Sequence, residues 1–222
     1  VGNASNGYEY VVMPSGDAPD TSTAEDTGTV ASGTTTVQAT GLTAETDYDF
    51  YVRSDCGGGD ISPWSNSVSF FTGYCDATPS SNDGNGISQI DFNGNVIPSG
   101  GDITFEDFTA TTVDIQQSVT ANLSITFETG FTYDTNIWID FNDNLVFEAS
   151  ELVFQGESTS ANPTTLDASF PVDVAANLGN HRMRIGTADS GQSTPDPCYT
   201  GSFGVTIDVT VNVTPAPACP AP

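Results

Sequence analysis

Short stretches in which apolar and polar residues alternate one by one recur along the whole chain, and none carries the 3.6-residue period of an amphipathic helix. Leu123, Ile125 and Phe127 alternate with Ser124 and Thr126, and Met183 and Ile185 alternate with Arg182 and Arg184. A two-residue period sends successive side chains to opposite faces, so each such stretch reads as a strand with one face in a core. Turn formers punctuate them, as in Pro14-Ser15-Gly16-Asp17 and Gly57-Gly58-Gly59. Thr, Ser, Gly, Asn and Val are abundant, and Lys is absent. The expectation is an all-β chain made of two β-sandwich units in tandem.

The first unit is expected over residues 1–72, with strands at Tyr8–Val12, Thr34–Thr40, Asp47–Ser54 and Ser67–Phe71. The second is expected over residues 73–214. Its strands fall near Ile87–Phe92, Thr111–Gln117, Asn122–Glu128, Asn136–Phe141, Leu152–Gln155, Thr165–Val172, His181–Thr187 and Val205–Val213. Eight strands without a helix point to a two-sheet sandwich of the jelly-roll kind. Residues 215–222 read as a Pro/Ala linker, extended, leading into a next module.

Charge narrows the partners. The chain has 29 acidic residues against three basic ones, a net charge of −26. Nucleic acid and anionic membrane surfaces are thereby excluded as direct partners. Divalent cations are the natural counter-charge, although scattered carboxylates also serve solubility. No run of eighteen apolar residues occurs, so no membrane insertion is expected. Four cysteines in so acidic a chain suggest an oxidising exterior, hence a secreted or cell-surface protein.

One loop is dense in oxygen ligands. Asp140, Asn142 and Asn144 stand at alternate positions, and Glu151 follows eleven residues after Asp140. These are positions 1, 3, 5 and 12 of a twelve-residue calcium loop; Val146 at position 7 would offer its carbonyl, and Glu148 at position 9 a ligand directly or through water. A hard cation needs six to eight oxygens, and a short loop supplies them only when alternate side chains turn inward. Leu145 is the departure, at position 6, where such loops use Gly for a sharp turn. The alternative is a polar loop whose Asx side chains cap turns. The expected cofactor is Ca2+.

Catalytic patterns are sparse. His181 is the only histidine, so paired-His metal sites are excluded. No Gly-x-Ser-x-Gly elbow is present, and no two cysteines have zinc-ligand spacing. Sugar-binding sandwiches use exposed rings that stack on a saccharide face, and Tyr133, Trp138 and Tyr199 are the candidates for that role. The competing reading places Trp138 in the core or on the sheet surface. Arg182 and Arg184 share a strand face and are expected to pair with local carboxylates.

Two family resemblances follow from particular residues. Gly41-Leu42-Thr43-Ala44-Glu45-Thr46-Asp47-Tyr48, followed by Phe50-Tyr51-Val52-Arg53, resembles a corner of the fibronectin type III domain. Leu42 and Tyr48 would be its corner residues, the Tyr hydroxyl bonding back to the backbone. Ser62-Pro63-Trp64-Ser65 fits the version seen in secreted bacterial proteins. That family has two strands before the one at Tyr8–Val12, so the resemblance implies an incomplete unit that exposes an apolar face of Tyr8, Tyr10 and Val12 unless another strand covers it.

The second segment resembles the GEVED domain of secreted Bacteroidetes-type proteins. Phe105-Glu106-Asp107-Phe108-Thr109, the block Trp138-Ile139-Asp140-Phe141-Asn142 with Glu151-Leu152-Val153-Phe154, and Arg182-Met183-Arg184-Ile185 carry the likeness. The naming motif is degraded: Gly204-Val205-Thr206-Ile207-Asp208-Val209 keeps the Gly and one Asp but has apolar residues in place of both Glu. Because this family brings its opening and closing segments together, the resemblance implies a Cys75–Cys198 disulfide. Cys56 and Cys219 would then bond across neighbouring modules of the chain. The implied function is that of a non-catalytic extracellular module, a calcium-stiffened spacer or an adhesion element facing a polysaccharide or another cell-surface component. The rival is a carbohydrate-binding accessory module of a secreted hydrolase or protease.

Overall fold

The structure is a computed structural model that describes residues 6–80, 86–99, 103–127, 131–191 and 194–218. The chain divides into two compact units, Val1–Tyr74 and Cys75–Pro222. Its regular structure among the described residues is strand, apart from one 3-10 turn at Ala149–Glu151.

The first unit is one antiparallel sheet. Its strands are β1 (Gly7–Pro14), β2 (Asp26–Val30), β3 (Asp47–Gly57), β4 (Asp60–Ile61) and β5 (Val68–Phe71). The order is β2-β1-β3-β4, and β5 also pairs with β3. The pleat sorts the long central pair. Tyr10 and Val12 of β1 lie opposite Val52 and Phe50 of β3, whereas Glu9 and Val11 lie opposite Arg53 and Tyr51.

The first of these faces packs into a small core of Tyr10, Val12 and Tyr48 with Val30, Ala39, Leu42, Phe50 and Phe70 around it. Here the expectations need two corrections. Residues 34–40 form no strand. They nonetheless belong to the segment that covers this face, so Tyr10 and Val12 are 8% and 0% exposed rather than open to solvent. Packing, not ladder pairing, fixes that segment. Tyr48 does make the expected corner, its hydroxyl oxygen accepting the N–H of Thr43 at 3.0 Å.

The second unit contains β6 (Ile87–Phe92), β7 (Asn95–Pro98), β8 (Phe105–Gln116), β9 (Thr120–Ala121), β10 (Leu123–Phe127), β11 (Tyr133–Ile139), β12 (Leu152–Glu157), β13 (Thr164–Asp167), β14 (Phe170–Pro171), β15 (Gly179–Asp189) and β16 (Gly204–Thr214). One sheet runs β13-β10-β6-β7 and the other β12-β11-β15-β16-β8, with a short β14-β9 pair besides. Ile90, Phe92, Leu123 and Ile125 of the first sheet meet Ile137, Ile139, Met183, Ile185 and Ile207 of the second in one core. This is the expected two-sheet sandwich. One feature was not foreseen: β8 pairs with β16 in parallel, whereas the other ladders are antiparallel.

Candidate functional site

β11 ends at Ile139, and the chain turns into the Asp140–Glu151 loop before β12 begins. Asp140 is fully buried, and its two carboxylate oxygens accept the N–H groups of Asn144 and Leu145 at 3.2 and 2.9 Å. Asn142 Oδ1 accepts the same Asn144 N–H at 3.0 Å, and Asn144 Oδ1 accepts that of Val146 at 2.9 Å. The loop is wound around its own side-chain oxygens. Asp143 and Leu145 take positive φ values of 55° and 67°. Leu145 therefore adopts the left-handed turn for which glycine is the easy choice.

The far end closes the ring. Glu148 carboxylate oxygens accept the side-chain amides of Asn142 and Asn144 at 2.8 and 3.0 Å. Glu151, 5% exposed and on the 3-10 turn Ala149–Glu151, accepts the N–H of Phe141 at 3.0 Å and of Glu148 at 3.1 Å. Burial pushes the Glu151 carboxyl above its ordinary range; the N–H of Glu148 pulls it back, and the charges of Asp140 and Glu148 push it up again.

The structure thus gathers Asp140, Asn142, Asn144, Glu148 and Glu151 into one hydrogen-bonded loop. Val146 rides on it, 55% exposed. Among the described residues no three Asp, Glu, His or Cys side chains meet closely enough to hold a metal by themselves. A cation here would need the two Asn oxygens and a backbone carbonyl as well. The donor set fits a hard cation: every donor is oxygen, and an oxygen that accepts one N–H keeps a second lone pair.

Beside the loop lies a buried ionic hub. Asp208 is fully buried on β16 and takes Arg184 Nε at 2.7 Å, Arg184 Nη2 at 2.8 Å and Arg182 Nη1 at 3.0 Å. Arg184 Nη1 donates to the carbonyls of Cys75 and Pro197, each at 2.7 Å. Cys75 is one end of the Cys75–Cys198 disulfide and Pro197 precedes the other, the two Cα atoms of the bridge being 5.5 Å apart. Phe147 of the loop sits 5.1 Å from the Arg184 guanidinium. Loop, ion pair and disulfide are therefore consecutive in space. Cys56 is exposed near the end of β3, and Cys219, its expected counterpart in bonding across modules, lies outside the described residues.

The three expected sugar platforms are a correction. Tyr133, Trp138 and Tyr199 are 0%, 4% and 4% exposed. Tyr133 stacks on Phe127 in the core, with ring centroids 4.3 Å apart. Tyr199 donates its hydroxyl to the Ser202 carbonyl at 2.9 Å. Trp138 lies on the outer face of its sheet, but the Pro195 segment crosses that face, pinned by Asn136 Nδ2 to the Pro195 carbonyl at 2.7 Å. A Cβ placed on Gly186 would lie 3.3 Å from the Trp138 ring and 3.5 Å from Pro195, so the indole is enclosed. No ring of the three can meet a saccharide.

His181 is 3% exposed, with Nδ1 2.9 Å from Asp143 Oδ1 and Nε2 3.0 Å from the Asn177 carbonyl. Both ring nitrogens are engaged, leaving neither to act as a base toward substrate. This contact to the loop was not read from the sequence, because 38 residues separate the partners.

Residues 134–212 match the GEVED domain. The match takes in the oxygen-rich loop, both arginines and Asp208. Among solved structures, that of the chicken CNTN1 FN1–FN3 domains is similar at 11% identity and a TM-score of 0.26, over 93% of this chain and 55% of that one. The chain thus spans about half the length of that structure. No curated protein matches it.

Proposed function

We propose that the chain is a non-catalytic extracellular segment of a multidomain protein, and that its second unit is a spacer or adhesion module stiffened by calcium. The observation that carries the reading is the winding of the Asp140–Glu151 loop. Its alternate side chains accept the loop's own N–H groups, and Leu145 takes the left-handed turn at the position where such loops need it. Asp140 and Glu151 are buried acids. A bound divalent cation would offset the repulsion among Asp140, Glu148 and Glu151, and would fix the path of Phe147 over Arg184. The disulfide favours an oxidising compartment, and the engagement of both nitrogens of His181 speaks against acid–base chemistry.

With two Asn among the ligands, the affinity belongs to the weak extracellular range, a dissociation constant on the order of 0.1–1 mM. Titration calorimetry of the whole chain with CaCl2, with Asp140→Ala as the control, tests this. Saturable heat in the wild type that the variant lacks is expected. Absence of heat in both would sink the calcium reading.

A further inference from the structure

On the outer face of the first unit's sheet, away from its core, a cleft of about 470 Å³ opens between the segment 17–23 and the strand ladder. Met13 forms its floor, Asp17, Asp20 and Thr21 one wall, and Arg53 and Trp64 the other. The geometry points to this cleft as a binding site for a neutral saccharide, which goes beyond the calcium reading and does not depend on it.

Both walls are held before any ligand arrives. Ser62 and Ser65 clasp β3 on either side of Trp64. Ser62 N–H donates to the Ser54 carbonyl at 3.0 Å and Ser65 N–H to that of Val52 at 2.9 Å, and the two hydroxyls accept the Ser54 and Val52 N–H groups at 2.9 and 3.1 Å. Trp64 is thereby laid over Arg53, whose guanidinium carbon is 4.2 Å from the ring centroid. Glu9 takes Arg53 Nε at 2.6 Å, which aims the guanidinium and meets its charge. Opposite, the Tyr51 hydroxyl donates to the Asp17 carbonyl at 2.9 Å, and Asp20 accepts the N–H and the hydroxyl of Ser22, each at 2.8 Å. A site preorganised in this way loses little entropy on binding.

The chemistry selects the ligand. An indole offers a flat apolar surface to the C–H groups of a pyranose ring. Carboxylates at Asp17 and Asp20 accept hydroxyl protons, and the remaining guanidinium N–H groups of Arg53 donate to ring or hydroxyl oxygens. Two carboxylates on one wall repel phosphate and sulfate esters, while the free N–H groups of Arg53 need acceptor oxygens, which a simple cation lacks. A neutral, hydroxyl-rich molecule satisfies all of these groups, and the volume falls in the range of small-molecule clefts.

The chain has two tryptophans, and Trp138 is buried, so ligand-induced changes in fluorescence report on Trp64. The whole chain is titrated with maltose, cellobiose, lactose, mannobiose and chitobiose, and with a sulfated heparin disaccharide for comparison. EDTA is present throughout, so the outcome is independent of calcium. A saturable emission change with at least one neutral disaccharide is expected. Asp20→Asn should weaken it by about tenfold, and Trp64→Ala should abolish binding measured by calorimetry. Circular dichroism melts check that both variants remain folded, and Asp17→Asn, on the exposed rim, gives a second reading where Trp64→Ala does not fold. The proposal is overturned if no neutral disaccharide gives a saturable change, if the change survives Asp17→Asn and Asp20→Asn undiminished, or if the sulfated sugar binds better.

Discussion

Leu145 holds a backbone conformation that its own Cβ disfavours, at φ 67°. The left-handed region costs an ordinary residue about 1–2 kcal/mol, of which glycine's extra freedom in the unfolded chain returns a part. Leu145→Gly is therefore expected to stabilise the second unit by about 0.5–1 kcal/mol, read as a higher urea midpoint at unchanged slope. Asp208 is the opposite case. It is the buried acceptor for two arginines, and Asp208→Ala leaves Arg184 in the interior with its charge unmet. A loss of about 3–5 kcal/mol is expected in the same measurement. At this scale the Asx spacing of the loop was plain in the sequence, because ligand positions in a tight turn are fixed by chain geometry. The burial of Trp138 was not. Alternation assigns a ring to one face of a sheet but is silent on whether a distant segment, here Pro195, crosses that face. Trp64 shows the converse: its neighbours Ser62 and Ser65 gave no sign that they would clasp β3 and present the ring.

Among the elements, β11 and β12 carry a conflict. Asp134 stands directly opposite Glu157 in their ladder. Burial raises the Asp134 carboxyl above its ordinary value, and the charge of Glu157 raises it further. The folded form thus binds its proton more tightly than the unfolded chain does, so stability is fullest below the ordinary value of 3.8 and declines as pH rises through the raised one. Asp134→Asn should stabilise the unit by about 0.2–1 kcal/mol at pH 7. The advantage should vanish in melts run below pH 3.8. Strands with strong apolar alternation, such as Ile87–Phe92, fell where the pattern put them. β2, Asp-Thr-Gly-Thr-Val, was missed because it has no apolar alternation and is held by pairing with β1. β7 has a local signal, since Asn93 and Gly94, at φ 50° and 79°, form the two-residue turn that joins it to β6. The parallel pairing of β8 with β16 had no local signal, since it depends on which strand edge the sandwich leaves open.

At the scale of the molecule, the described residues form two separate apolar cores, one around Tyr10, Val12 and Tyr48 and one spanning both sheets of the second unit. The Cys75–Cys198 bond joins residues 123 apart and lies at the opening of that second unit. Its consequence emerges under tension. When the chain is pulled from its two ends, load reaching Cys75 crosses the sulfur bridge to Cys198 and passes on into β16 without entering the intervening chain. The 123 chain steps between them, at roughly 3.4 Å each, amount to about 420 Å of contour length that force alone cannot release. In single-molecule stretching, the oxidised second unit should yield only the short segment from Cys198 onward, and adding a reductant should lengthen its unfolding step by about 420 Å. Equal steps with and without reductant would contradict this. A module so bridged is nearly inextensible even after its sheets have come apart, so the distance it can span between its neighbours is capped by a covalent bond rather than by the strength of its fold.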